Sequence, residues 1–244
     1  MLKDKIILIT DTLHFLGETG CRVLTGAGAI VYAQDAEFTD AEARAKIEAE
    51  IPGVRALEEQ DPTTIVDKII AETGRLDVLV NNDAYPAIKA AIDEAEVAEF
   101  RRTLEALMVR GFHFASEASR HMKKAGRGKI LFISSAAPKN GIPNYSMYVA
   151  ARGGTNALAR SLAKELGRFN IQVNALAPNF IESPMYFPDE LLANKEAFKK
   201  ITSQIPLGRL GTQEEAGEYL LFLVSDKSNF ITGQELYLAG GWAT

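Results

Sequence analysis

Apolar and polar positions come in blocks along this chain. Short, almost continuously apolar runs recur at residues 6–10, 29–33, 54–57, 77–80, 129–134, 171–177 and 235–239. Apolar residues on consecutive rather than alternate positions mark strands buried on both faces. The longer stretches between them carry helical spacing. They predict helices near 17–26, 39–51, 62–73, 95–124, 144–166, 195–202 and 212–224. Pro62 suits a first helical position, Asn144 a cap before the following helix, and Thr212-Gln-Glu-Glu215 a capping box. Phe100, Leu104, Leu107 and Phe114 form one stripe, so residues 95–124 read as one unbroken helix. Gly153 and Gly154 cost helix stability, which implies close packing against another element.

Strand–helix alternation of this kind predicts an α/β fold, a doubly wound parallel sheet of about seven strands. No repeat, linker or low-complexity stretch divides residues 1–244, so a single domain is expected. In such sheets ligands bind outside the carboxyl ends of the strands. The Asp11 loop, Asp83, Ser135 and Pro178 all follow strand carboxyl ends and are expected to converge.

One stretch carries candidate chemistry. Ser135 precedes Tyr148 by thirteen residues, and Arg152 follows Tyr148 by four, one helical turn on the same face. A tyrosine, with a reference pKa of about 10, is a poor base at neutral pH. A cation on its own helix face favours the phenolate, and arginine does so without losing its proton. A serine at the end of the neighbouring strand could hold a substrate oxygen beside the phenol. The spacing alone equally describes a buried tyrosine with a satisfied hydroxyl and a surface arginine.

Composition narrows the setting. The apolar fraction of 47% and charged fraction of 24% are ordinary for a soluble globular chain. A net charge of −5 without a large basic cluster argues against nucleic acid as a partner. One cysteine, Cys21, excludes an intrachain disulfide. His14, His113 and His121 form no close metal-binding pair. No apolar run is long enough to span a membrane, and the first strand is too short for a signal peptide. A cytoplasmic protein is expected.

Ser135 followed by Tyr148-Val-Ala-Ala-Arg152 resembles the active-site region of the short-chain dehydrogenases/reductases. The resemblance covers nearly the whole chain, including Gly208-Arg-Leu-Gly211, Ile231-Thr-Gly-Gln234 and Gly240-Gly241, and implies a Rossmann-like sheet. The departures are informative. That family has lysine where Arg152 stands. It has a Thr-Gly-x-x-x-Gly-x-Gly loop that admits a pyrophosphate; here the loop is Thr10-Asp11-Thr-Leu-His-Phe15-Leu-Gly17, with Asp11 and Phe15 in place of two glycines. It has Asn-Asn-Ala-Gly where this chain has Asn81-Asn82-Asp83-Ala84. Asp35 is left as a ribose-binding acid without its partner glycines, and Met108 stands near the position of the relay asparagine.

Ser135, Tyr148 and Arg152 instead match the triad of the halohydrin dehalogenases, relatives of that family without the nicotinamide cofactor. This resemblance implies a carbon–halogen lyase that interconverts vicinal halohydrins and epoxides without a cofactor. It also implies a pocket for halide or other small anions lined by Phe15, Pro178, Asn179, Phe180, Ile181 and Phe187, with the Phe180 and Ile181 N–H groups facing the anion. The quoted likenesses are Ala177-Pro178-Asn179-Phe180-Ile181 and Pro184-Met-Tyr186-Phe187-Pro188. Asp83 is expected to orient Arg152 through water. A homotetramer built on helices 95–124 and 144–166 is implied, with Gly241-Trp242 reaching a neighbouring subunit's site. Two other readings stay open on the sequence: an atypical NAD(P)-dependent reductase and a non-catalytic binding relative.

Overall fold

The structure is a computed structural model that describes residues 1–184 and 186–243; Met185 of the proline-rich run and Thr244 lie outside the described residues. Seven strands form one parallel sheet: β1 Ile6–Ile9, β2 Ile30–Gln34, β3 Val54–Leu57, β4 Val78–Asn81, β5 Gly128–Ile133, β6 Ile171–Pro178 and β7 Glu235–Leu238. Their order is β3-β2-β1-β4-β5-β6-β7. The order reverses between β1 and β4, the place where such sheets open a crevice for ligands.

The continuous apolar runs are explained by the two faces of this sheet. Ile7 and Ile9 of β1 join Leu131 and Ile133 of β5 in one core. It is closed by α1 (Gly17–Gly26), α2 (Ala41–Glu50) and α10 (Gln213–Val224). Ile6 and Leu8 join Ile130 and Phe132 on the other side. That core is closed by α3 (Pro62–Thr73), α5 (Arg110–Ala125) and α7 (Ser146–Leu166). Successive strand residues point to opposite faces, so interior positions are apolar on both sides, while polar residues such as Arg55 of β3, Lys129 near the start of β5 and Glu235 at the start of β7 sit on an edge strand or near strand ends.

The helix expected over residues 95–124 is interrupted. α4 (Val97–Leu104) passes through a π turn at Glu105–Val109 before α5. A π turn widens one helical turn and leaves a backbone carbonyl free. Here the Thr155 hydroxyl of α7 donates to Leu107 O at 2.8 Å. Gly154 lets α7 come this close: a Cβ there would stand 2.5 Å from Met108 Sδ. Asn144 does not cap α7. Tyr145 occupies the cap position without a side-chain bond, while Asn144 has φ +67° and its carbonyl accepts from Ala90 N–H. The Thr212 capping box forms as expected. Short helices α6 (Ala137–Asn140) and α8 (Asp189–Ala193) were not legible, and α9 spans Lys195–Thr202.

Gly17 is the retained glycine of the first loop, and packing requires it. A Cβ there would overlap the Thr12 carbonyl, whereas Gly26, at the other end of α1, faces open space. Gly17→Ala is expected to cost about 2 kcal/mol or more through overpacking. Gly26→Ala is expected to be neutral or to stabilise by up to about 1 kcal/mol. Urea unfolding of the two variants against wild type reads the difference; equal effects would contradict the assignment.

Candidate active site

Ser135, Tyr148 and Arg152 line a single cavity of about 570 Å³ at the carboxyl ends of β5 and β6. The strand end delivers Ser135, whose Oγ accepts from Ala137 N–H at 3.0 Å. One turn of α7 separates Tyr148 from Arg152. The guanidinium carbon lies 5.5 Å from the tyrosine ring centroid.

Arg152 is 2% exposed. A buried cation is costly unless its donors are met. Its Nη1 donates to Ile133 O at 2.9 Å and its Nη2 to Asp83 O at 2.8 Å. Burial opposes its charge, but Tyr148, Tyr186 and Asp83 outweigh burial and hold the guanidinium above its ordinary value. Asp83 therefore meets Arg152 directly through its backbone carbonyl, where a water-mediated contact was expected. Its side chain lies behind the site against the backbone of Gly111. Burial, then the neighbouring Asp11, push the Asp83 carboxyl up to about 7, with Arg152 and Arg110 pulling it down.

Phe15, Pro178, Asn179, Phe180, Ile181 and Phe187 all line the same cavity. Phe180 packs edge-on to Trp242, with centroids 5.5 Å apart, and lies 6.3 Å from Phe187. Phe180 adopts φ +58°, a conformation that favours glycine. Its N–H donates to Asn179 Oδ1 at 3.0 Å. An anion reaches that amide only if the Asn179 side chain turns away, a point that the expectation of two cavity-facing amides did not contain. Trp242 lines this chain's own cavity, and its carbonyl accepts from Asn140 Nδ2 at 2.7 Å.

Tyr186 is the site residue that sequence reasoning passed over in favour of Phe187. It stands edge-on to Phe15 at 5.5 Å. Burial, then the neighbouring Tyr148, hold its phenol above the ordinary range, with Arg152 pulling the other way. Both adjacent aromatics of this run line the cavity, so Tyr186 joins Phe187 there rather than replacing it. Among the described residues no cluster of His, Cys, Asp and Glu could hold a metal ion. No helix among them is long and apolar enough to cross a membrane.

The crevice at the β1/β4 switch point is closed by the chain's own groups. Asp11 and Phe15 both keep φ +44°; side chains thus occupy a backbone shape that glycine adopts without strain. The Asp11 N–H donates to Gln34 Oε1 at 3.2 Å and the Leu13 N–H to Asp35 Oδ2 at 2.9 Å. The Asp11 carboxylate accepts from Ala84 N–H at 2.9 Å and pairs with Arg110. Asn82 Nδ2 donates to the carbonyls of Asp11 (3.0 Å) and His14 (2.8 Å).

A doubly wound parallel sheet with a Ser–Tyr–Arg cavity beside its switch point defines the class, an α/β protein with a small-molecule cleft. The family model described as enoyl-(acyl carrier protein) reductase matches residues 16–243. The 3-oxoacyl-[acyl-carrier-protein] reductase of Thermotoga maritima is 31% identical, over 98% of each chain. The cis-4-hydroxycyclohexanecarboxylate dehydrogenase of Sinomonas cyclohexanicum is 34% identical, over 98% of this chain and 96% of that one. A solved structure titled dehalogenation enzyme is 48% identical with a TM-score of 0.96 over 99% of each chain. A halohydrin dehalogenase bound to ethyl (2S)-oxiran-2-ylacetate is 34% identical with a TM-score of 0.94 over 98% of each chain. The chain belongs to the short-chain dehydrogenase/reductase family of enzymes.

Asp83 couples this site to stability. A carboxyl whose folded value is raised from 3.8 to about 7 stabilises the fold fully below pH 3.8 and loses that contribution as the pH rises through about 7. The loss is on the order of 4 kcal/mol at pH 8. Asp83→Asn is therefore expected to raise Tm at pH 8, and the gain should shrink as the pH falls to 5. A pH-independent difference in calorimetry would contradict the assignment.

Proposed function

We propose that the protein is a halohydrin dehalogenase, converting vicinal halohydrins to epoxides with release of halide and a proton, and opening epoxides with small anions in reverse. The observation that carries this reading is the closed switch point beside an open Ser–Tyr–Arg cavity. The family implies a nicotinamide dinucleotide, and these residues do not fit one. The Asp11 and Leu13 amides that would meet a pyrophosphate are spent on Gln34 and Asp35, the Asp35 carboxylate is spent on Leu13 and Glu37, and a carboxylate and a phenyl ring stand where glycines would give room. The 48% identity to the solved dehalogenation enzyme, against 34% to the cis-4-hydroxycyclohexanecarboxylate dehydrogenase, supports the same reading.

In this mechanism Ser135 donates a hydrogen bond to the substrate hydroxyl oxygen. Tyr148, as phenolate beside the Arg152 guanidinium, takes the hydroxyl proton. The resulting alkoxide forms the new C–O bond while the neighbouring C–halogen bond breaks. The electron pair leaves with the halide, and the proton passes from Tyr148 to water. Tyr186 is held above its ordinary range, so its O–H stays protonated and acts as a donor rather than the base. The halide meets the edges of Phe15, Phe180 and Phe187, which carry partial positive charge, together with the Ile181 N–H, which donates to no group among the described residues. Preoriented donors of this kind stabilise charge as it develops on a leaving group. Exposed Val97 (64%) on α4, Val109 (41%) at the end of the π turn and Phe112 (50%) on α5 support pairing of subunits through this segment, in keeping with a homotetramer.

With a small vicinal bromoalcohol and no nicotinamide, wild type is expected to release bromide and acid in equal amounts. Tyr148→Phe should lower kcat by ~10²–10⁴-fold, the usual worth of a general base. Silence of the wild type, with NADH- or NADPH-dependent turnover of a carbonyl substrate, would overturn the reading.

A further inference from the structure

A second cavity, of about 360 Å³, lies at the opposite end of the sheet, against the amino ends of β4, β5 and β6. Lys129 lines it, only 8% exposed. An ammonium group has three protons to place and no acceptor of its own. Lys129 Nζ makes one hydrogen bond, to Ser228 Oγ at 3.0 Å, and the Ser228 hydroxyl has its own acceptors in Leu223 O and Ser225 O. Among the described residues no carboxylate lies within 4.0 Å of Lys129. Lysine is almost never buried this far without a partner.

The acids of the cavity are already occupied. Asp77 Oδ2 accepts from Ile6 N–H at 2.9 Å and lies 3.0 Å from Arg75 Nε in an ion pair, and its Oδ1 lies 4.0 Å from Arg127. Asp226 lies 3.6 Å from Lys5. Burial lowers Lys129 to about 8, with Asp226 raising it and Lys5 lowering it. Lys5, Arg127 and Lys129 thus face Asp77 and Asp226 across the cavity, which leaves an excess of positive charge that favours a bound anion. Asn170, Gln172 and Asn229 add uncharged polar groups to a wall that also includes Val78 and Val224.

We propose that this cavity binds a phosphate group, with Lys129 at its floor and Lys5 and Arg127 at its mouth. Charge-assisted hydrogen bonds from a lysine and an arginine are the donors a phosphate recognises, and the volume admits either free phosphate or the phosphomonoester end of a small metabolite. The site is remote from Ser135, which stands at the other end of β5, and is independent of the reaction assigned there.

Calorimetric titration with inorganic phosphate and with glycerol phosphate at pH 7 tests it, with ionic strength held constant by sodium chloride to remove general screening. Wild type is expected to bind at least one of the two with a measurable heat and a rise in Tm. Tighter binding of one assigns the source of the phosphate. Lys129→Met should weaken binding at least tenfold, and Arg127→Gln, at an exposed position that leaves the core intact, several-fold. Tyr148→Phe should bind phosphate as wild type does, which separates this cavity from the first. Absence of any response to either anion beyond the chloride control, or a response unchanged in both Lys129→Met and Arg127→Gln, would overturn the proposal.

Discussion

The burial of a single positive charge organises the candidate active site. Removing a guanidinium from water costs several kcal/mol unless hydrogen bonds and opposite charge replace the solvent. Arg152 obtains those bonds from two carbonyls on different strands, Ile133 at the end of β5 and Asp83 just past β4. Neither carbonyl could reach it unless α7 lay close over the sheet. Gly154 against Met108, and the Leu107 carbonyl freed by the π turn and taken up by Thr155, permit that approach. The same geometry places Tyr148 over the cation and Ser135 at the strand end beside it. A lysine has no planar fork with which to bridge two carbonyls, which gives arginine a positional reason as well as an electrostatic one.

The neighbouring crevice has been closed with equal economy. The backbone of the first loop keeps the left-handed turns that glycines adopt freely, yet Asp11 and Phe15 occupy them. Such turns cost ~1–3 kcal/mol each for residues with side chains, and the Asp11 contacts with Ala84 and Arg110 offset that cost. The loop amides turn inward to Gln34 and Asp35 instead of outward to a phosphate. The neighbouring cavity is lined by a phenol, a serine and several aromatic rings, the groups on which the proposed proton and anion chemistry rests.

The sheet was legible because strands buried on both faces leave nearly continuous apolar runs, and all seven runs lie on observed strands to within a residue or two. The Ser–Tyr–Arg spacing was legible because strand end and helix turn fix it locally. The π turn was not: widening one turn shifts the stripe after Leu107 by a single residue and leaves no mark in composition. Asn144 was misjudged as a cap because asparagine favours left-handed loop positions as well as helix N-caps, and here it takes the former, with φ +67°. The inward turn of Tyr186, the engagement of the Phe180 amide by Asn179, and the meeting of Lys129 with Lys5 and Arg127 all depend on contacts that the chain makes only after it folds.

Trp242 is the sole tryptophan of the chain and packs on Phe180 in the cavity wall, so its fluorescence reports what enters. The most direct measurement is its emission during titration with bromide and, separately, with NADH. A halide pocket beside a closed dinucleotide site predicts a saturable response to bromide and no energy transfer to NADH. Saturable transfer to NADH, with bromide acting only as a collisional quencher, would contradict it.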